Sequence, residues 1–254
     1  MYSLFRSSES GAEPSVEPIP TVFPKIAGAD ISAVFVGNRI AGDFYDSIRV
    51  SPQRVLIGLM DVAGRRHENR QILRAAQEIF RKGGPELLAG EDVNEADAMT
   101  ELTLRLNRGL TESAAGVLSC PAFLACYHEQ FGTLCYTNAG HTPALLRDGS
   151  GIAELGSTGL PLGLFSHATS EAHIVAIERQ AALLLVSRGV VSCEGKNGGS
   201  TVEYGLDGVK SVFAEMKAEN AKELCTSVLN NLAGFRNGSP ICDDQTALAL
   251  IRTA

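Results

Sequence analysis

AGDFYDSIRVSPQRVLIGLMDVAG, residues 41–64, carries two extended runs, Asp43 to Val50 and Arg54 to Asp61, split by the turn formers Ser51-Pro52. Both are rich in β-branched or aromatic residues, and a similar run, Asp30 to Val36, precedes them across Gly37-Asn38, so the three read as a β-meander. Asp43 follows Gly42, and Asp61 closes the apolar stretch Val55 to Met60. An aspartate that ends a buried strand puts its carboxylate at the sheet rim, where a small turn such as Asp61-Val62-Ala63-Gly64 leaves room for a ligand. A third acidic point lies in Cys242-Asp243-Asp244-Gln245-Thr246, before the apolar run that closes the chain. Carboxylates from separate strands meeting at one rim suit a hard divalent cation. A single Asp of this kind reads better as a turn or helix cap, so the weight lies on the set.

Beyond Gly64 the period becomes helical, with Ile72, Ala76, Ile79 and Phe80 on one face, and Gly83-Gly84-Pro85 is expected to end the helix. A second helix is predicted after Asn94, a capping residue with Asp97 in the first turn, burying Met99, Leu102, Leu106 and Leu110. Short strands follow at Ala122 to His128, Thr133 to Thr137, Ala144 to Arg147, Ile152 to Leu155, His173 to Ile177 and Ala182 to Val186, with Asp148-Gly149-Ser150-Gly151 as a hairpin turn. Helices over Leu206 to Met216 and Ala221 to Leu232 precede a last strand, Thr246 to Ile251. Strands, helix pair, strands, helix pair, strand predicts an α+β fold in which two packed, mainly antiparallel sheets are flanked by the helix pairs.

The 254 residues, 44 % of them hydrophobic, are enough for one substantial core. Residues 1–24, rich in Ser, Glu, Gly and Pro, read as a disordered or linker tail, and 25–254 as the folded domain. A net charge of −7 without a dense Lys/Arg run argues against nucleic-acid binding. The six cysteines form no C-x-x-C pair, which argues for buried free thiols over a zinc site. No apolar stretch approaches the length of a bilayer span and the N-terminus lacks the layout of a signal peptide, so no membrane association and a cytoplasmic location are expected.

The succession AGDFYD (41–46), DVAG (61–64), YTNAGHTP (136–143), LPLG (160–163), LLLVSRGV (183–190) and CDDQT (242–246) resembles, in order and approximate spacing, the bacterial protein phosphatase 2C-like (PPM-type) enzymes of the stage II sporulation protein E family, over about residues 24–252. The resemblance implies a β-sandwich flanked by helices, with two Mn²⁺ or Mg²⁺ ions activating a water that attacks a phosphoserine or phosphothreonine. Metal ions suit that task because they lower the pKa of water and neutralise charge on phosphoryl oxygens. Carried over by position, Asp43, Asp61 and Asp243 form the catalytic set. Asp61 would bridge both ions, Asp43 and the Val62 carbonyl would hold one, and Asp243 would help hold the other. The implied partner is a phosphorylated protein of regulatory type, with anti-anti-sigma-like proteins as the family's example.

This chain departs from the pattern at several points. Ser187-Arg188-Gly189-Val190 stands where the family usually has Thr-Asp-Gly-Val, Gln180-Ala181 replaces a Gly-Asp, Arg66 replaces a glycine after the DVAG turn, and Ala41 replaces the first glycine of GGDFYD. A guanidinium cannot ligate a cation, so the second ion is in question and two readings stand open: a metal-dependent serine/threonine phosphatase, or a pseudophosphatase that binds a phosphoprotein or regulatory partner without turnover. Arg188 is expected to fold back onto Asp243 or Asp61, since arginine pairs well with two carboxylates. His141 reads chiefly as a brace for its hairpin, Leu160 to Gly163 as packing, and His67 and His128 as surface residues. Arg65 and Arg66 could attract a phosphoryl group, or simply begin a solvated helix.

Overall fold

The computed structural model describes residues 20–37, 42–64, 66–113, 119–197, 200–216 and 218–254. In chain order the elements are β1 (Ala29–Val36), β2 (Gly42–Arg49), β3 (Arg54–Val62), α1 (Arg66–Leu88), α2 (Glu95–Ser113), β4 (Ala122–His128), β5 (Thr133–Ala139), β6 (Ala144–Asp148), β7 (Gly151–Leu155), β8 (His173–Ala176), β9 (Ala182–Val186), α3 (Arg188–Val191), β10 (Glu194–Asn197), β11 (Ser200–Glu203), α4 (Gly205–Glu215), α5 (Ala221–Arg236) and β12 (Gln245–Arg252). One five-stranded sheet runs β1-β12-β9-β6-β7, the other β2-β3-β4-β5-β8, and their strand pairs are antiparallel. Most of the expected tail lies outside the described residues. At its end Phe23 stacks on Tyr45, and the Thr21 hydroxyl donates to the Tyr45 carbonyl.

Three apolar layers follow from strand alternation. Ile57, Leu59, Phe123, Ala125 and Tyr136 pack between the sheets against Leu183, Leu185, Leu248 and Leu250. Their neighbours Leu56, Met60, Leu124 and Cys126 face Leu73, Phe80, Leu102 and Leu106 of α1 and α2. On the far side Leu184, Val186, Ala247 and Ala249 meet Val209, Phe213, Leu224 and Val228 of α4 and α5. Each helix pair thus covers one outer face, as the order of elements predicts. Cys242 is exposed and the other five cysteines are free and buried. Among the described residues no helix is long and apolar enough to cross a membrane.

The Asn94 cap forms as expected, its Oδ1 accepting from the amides of Ala96 and Asp97. The first helix does not stop at Gly83-Gly84-Pro85 but runs on to Leu88. Both glycines are buried contact points: a Cβ on Gly84 would lie 2.6 Å from the Leu56 side chain and one on Gly83 3.2 Å from that of Leu102. Close approach, not chain reversal, is what glycine supplies here. The helix is closed from outside by Arg54, which donates to the carbonyls of Leu88, Gly90 and Glu91 and pairs with Glu95 at 2.6 Å. His128 also departs from expectation: as the last residue of β4 it is buried, its ring stacked 4.3 Å from that of Phe131. The side chain of His67 lies outside the described residues.

Candidate active site

Asp43 and Asp61 are directly opposed in the β2–β3 ladder, next to the opposed pair Gly42 and Val62. Beyond the ladder, Asp61 and Ala63 donate their amides to the carbonyls of Pro121 and Ser119, so β3 is held to its end. The turn is fixed by Gly64, at φ +104°, and by Asn69, whose amide donates to the Ala63 carbonyl at 2.8 Å. Gly42 is needed for the close approach of the strands, because a Cβ there would stand 2.3 Å from the Val62 carbonyl oxygen.

The other sheet brings the remaining groups to this rim from the adjacent strands β9 and β12. Ser187 follows β9 and accepts on Oγ from the Thr246 amide at 3.0 Å, while its own amide donates to the Thr246 carbonyl at 2.9 Å. The Thr246 hydroxyl then donates to Asp43 Oδ2 at 2.7 Å, a buried contact that ties the sheets together. Arg188, the first residue of α3, lies between two carboxylates, with Nε 3.3 Å from Asp61 Oδ2 and Nη2 3.1 Å from Asp243 Oδ2. Gly189 lets α3 approach the segment before β12: a Cβ there would meet the Asp244 carbonyl at 2.0 Å.

Asp43 and Asp61 are both buried, at 5 % and 3 % exposure. Burial pushes the Asp43 carboxyl up to about 8, opposed by the Thr246 hydrogen bond and reinforced by repulsion from Asp61. Burial also raises Asp61, with Arg188 pulling the other way and Asp243 adding repulsion.

The expected Asp43, Asp61 and Asp243 therefore converge, the third through Arg188, and the foreseen fold-back of Arg188 takes in both acids. Two opposed carboxylates beside the Val62 carbonyl are hard oxygen donors that fit one divalent cation. Among the described residues no three His, Cys, Asp or Glu side chains form a metal-holding group, so such an ion would complete its shell with the carbonyl and water, as Mg²⁺ does. A second ion at Asp243 does not fit, because the guanidinium already pairs with that carboxylate.

Other predicted positions lie elsewhere. Arg65, and the side chain of Arg66, are outside the described residues. Pro161 packs against Gly140, and Leu162 pairs with Cys120. His141 is buried in its turn: Nδ1 donates to the Thr142 carbonyl at 3.0 Å, and its amide donates to Asn138 Oδ1. Burial depresses the imidazole from 6.5 to about 4. The fold thus holds His141 neutral while the unfolded chain protonates it first, so its contribution to stability is complete above about pH 7 and declines as pH falls from 6.5 toward 4. The slope is at most about 1.4 kcal/mol per pH unit. Urea midpoints across pH 4 to 7 should show it in the parent and not in His141→Gln; equal slopes would refute a buried neutral imidazole.

Sequence reasoning missed Ser187 and Thr246 as parts of the site, although each flanks a quoted motif residue.

The architecture is that of the protein phosphatase 2C domains. The chain superposes on the SiaA-PP2C domain of Pseudomonas aeruginosa with a TM-score of 0.74 at 17 % identity, covering 88 % of this chain and 86 % of that one. For the PP2C phosphatase domain, with a regulatory fragment, of SpoIIE from Bacillus subtilis the TM-score is 0.71 at 15 % identity, with coverages of 89 % and 62 %. The Stage II sporulation protein E (SpoIIE) family pattern matches residues 51–253, and the chain belongs to that family. Phosphoserine phosphatase RsbP of Bacillus subtilis is 24 % identical over 155 residues; the match spans 61 % of this chain and 37 % of that relative's length.

Proposed function

We propose that this chain is a metal-dependent phosphoprotein serine/threonine phosphatase domain of regulatory type. The observation that carries the reading is the opposition of Asp43 and Asp61 at a rim where the second sheet supplies Thr246 and Arg188. SpoIIE family membership and the likeness to a phosphoserine phosphatase support it.

One divalent cation, Mn²⁺ or Mg²⁺, would be held by Asp43, Asp61 and the Val62 carbonyl, with Asp243 outside its shell; the crystal structure of RsbX in complex with magnesium supports metal dependence in this fold. Bound there, the ion would acidify a water and screen the phosphoryl oxygens. The chain's own part is to orient Asp43 through the Thr246 hydroxyl, hold Asp61 beside a cation, and keep both carboxylates away from bulk water. The substrate would be a phosphorylated serine or threonine on a regulatory protein, an anti-anti-sigma-like protein being the candidate that family likeness offers.

The Arg188 bridge between Asp61 and Asp243 favours a second reading, a partner-binding pseudophosphatase. Phosphate release from a phosphoserine peptide distinguishes the two. Under the first, release requires added Mn²⁺ or Mg²⁺ and stops with EDTA; no release with either ion at any concentration would leave the second.

A further inference from the structure

Arg188 is poorly placed to be a purely structural ion-pair partner. Asp61, which it faces, has a side chain only 4 % exposed and Asp243 one of 23 %, yet the Arg188 side chain is 59 % exposed. An arginine has five N–H donors on a rigid fork. Nε and one Nη face the two carboxylates, and the remaining donors belong to the part of the fork that is open. Gly189, the next residue, lines a cavity of about 420 Å³ together with Ser192, Glu194, Lys196, Ser239 and Asp243, so two of its walls belong to the segments that carry the Arg188–Asp243 pair. The cavity has space for the chain around a phosphorylated residue, and Lys196 on its wall offsets the charge of Glu194.

We propose that Arg188 is an anion-binding residue, a built-in cation that holds a phosphate monoester dianion at the position where a second metal ion would otherwise stand. The assignment of the ligand rests on the phosphatase reading. Its physics is that of guanidinium–phosphate recognition, in which planar donors match two oxygens of the same group. Asp61 and Asp243 act as positioning residues that fix the fork and leave its remaining donors for another partner. Gly189 is part of the same device, because only a residue without Cβ lets the Arg188 turn sit against the Asp244 carbonyl. The consequence is a site with one bound ion and one permanent cation, whose affinity for phosphate persists when the ion is removed.

Titration calorimetry on the full chain tests this, using Mn²⁺ alone and then inorganic phosphate or phosphoserine with and without Mn²⁺. The parent is expected to bind about one Mn²⁺ per chain and to retain phosphate binding after EDTA treatment. Arg188→Gln should weaken metal-free phosphate binding by about 10- to 100-fold, the value of a charge-assisted hydrogen bond, and Arg188→Lys should recover part of it. Arg188→Asp should abolish metal-free phosphate binding and admit a second Mn²⁺. Thermal melts of each variant show that the fold is kept, and the Lys variant separates lost charge from lost shape. Equal phosphate affinity in the parent and Arg188→Gln, or two Mn²⁺ ions in the parent, would overturn the proposal even if the chain hydrolyses phosphoserine. Arg188-dependent phosphate binding without any hydrolysis would uphold the anchor and remove the phosphatase reading instead.

Discussion

Asp61→Asn is expected to lower metal-dependent phosphate release by about 10²- to 10⁴-fold, the range in which preorganised charged groups act on a transition state. The substitution keeps the volume of the side chain at the end of β3 and removes its charge. Two roles are lost together in the proposed site: an oxygen ligand opposite Asp43, and the anionic partner 3.3 Å from Arg188 Nε. Stability should move the other way or not at all. Burial raises the Asp61 carboxyl, so the metal-free fold already carries a cost for keeping a charge there, and a neutral amide relieves it. The paired signature is a collapse in turnover with a melting temperature equal to or above that of the parent. A variant that keeps activity within about threefold would place the chemistry elsewhere; one that loses activity only by unfolding would say nothing for Asp61, which is why both are measured on one preparation.

The strands were readable because each sheet strand that packs on both faces is almost wholly apolar, as in Arg54–Val62, where every residue is buried, and Ala122–His128, likewise buried throughout. The hairpin of β10 and β11 was not readable for the opposite reason: Ser200–Glu203 is exposed at every position and carries no burial pattern to detect. The extension of α1 through Gly83-Gly84-Pro85 shows a different limit. Local preference predicts a break there, but contacts to Leu56 and Leu102, far away in sequence, reward the absence of side chains, and the Arg54 cap comes from a neighbouring strand.

The site divides along the same line. Asp43 and Asp61 stand out because an acid beside or ending an apolar strand is conspicuous, and of the expected three-strand meander β2 and β3 do pair, which makes their opposition a matter of register. β1 instead leaves for the other sheet and pairs with β12, a long-range partner that the turn formers Gly37-Asn38 do not announce. The Thr246–Asp43 hydrogen bond joins residues 203 positions apart, and no pattern along the chain announces it. Arg188 was conspicuous only against the motif it replaces; its simultaneous contact with Asp61 and Asp243 needed both sheets in place.

Arg81→Ala is expected to destabilise the fold by about 3 kcal/mol, toward the lower end of the range for stripping one partner from a buried ion pair because Arg81 keeps some contact with solvent. The reason lies in the second acid of the Asp43-Phe44-Tyr45-Asp46 run. Strand alternation sends Asp43 and Tyr45 toward the other sheet and Phe44 and Asp46 toward α1. Asp46 is fully buried, and its two oxygens accept from Arg81 at 2.7 and 3.1 Å, from Gln77 at 3.2 Å, from the Thr21 hydroxyl at 3.1 Å and from the Ser47 amide at 3.0 Å. Removing Arg81 leaves that carboxylate, buried in the parent, with neutral donors only. Asp46→Asn in the Arg81→Ala background should recover part of the loss, since the residual penalty belongs to an uncompensated charge; a double variant no better than the single would mean that lost packing of the Arg81 stem was the main cost. Urea unfolding of the four proteins gives the coupling, and a single-variant cost below about 1 kcal/mol would show that the pair behaves as an exposed one. Because the pair lies under α1 and not at the rim, specific activity per folded molecule should be unchanged, which separates the acid that holds the helix from the acid three residues earlier that is proposed to hold the ion.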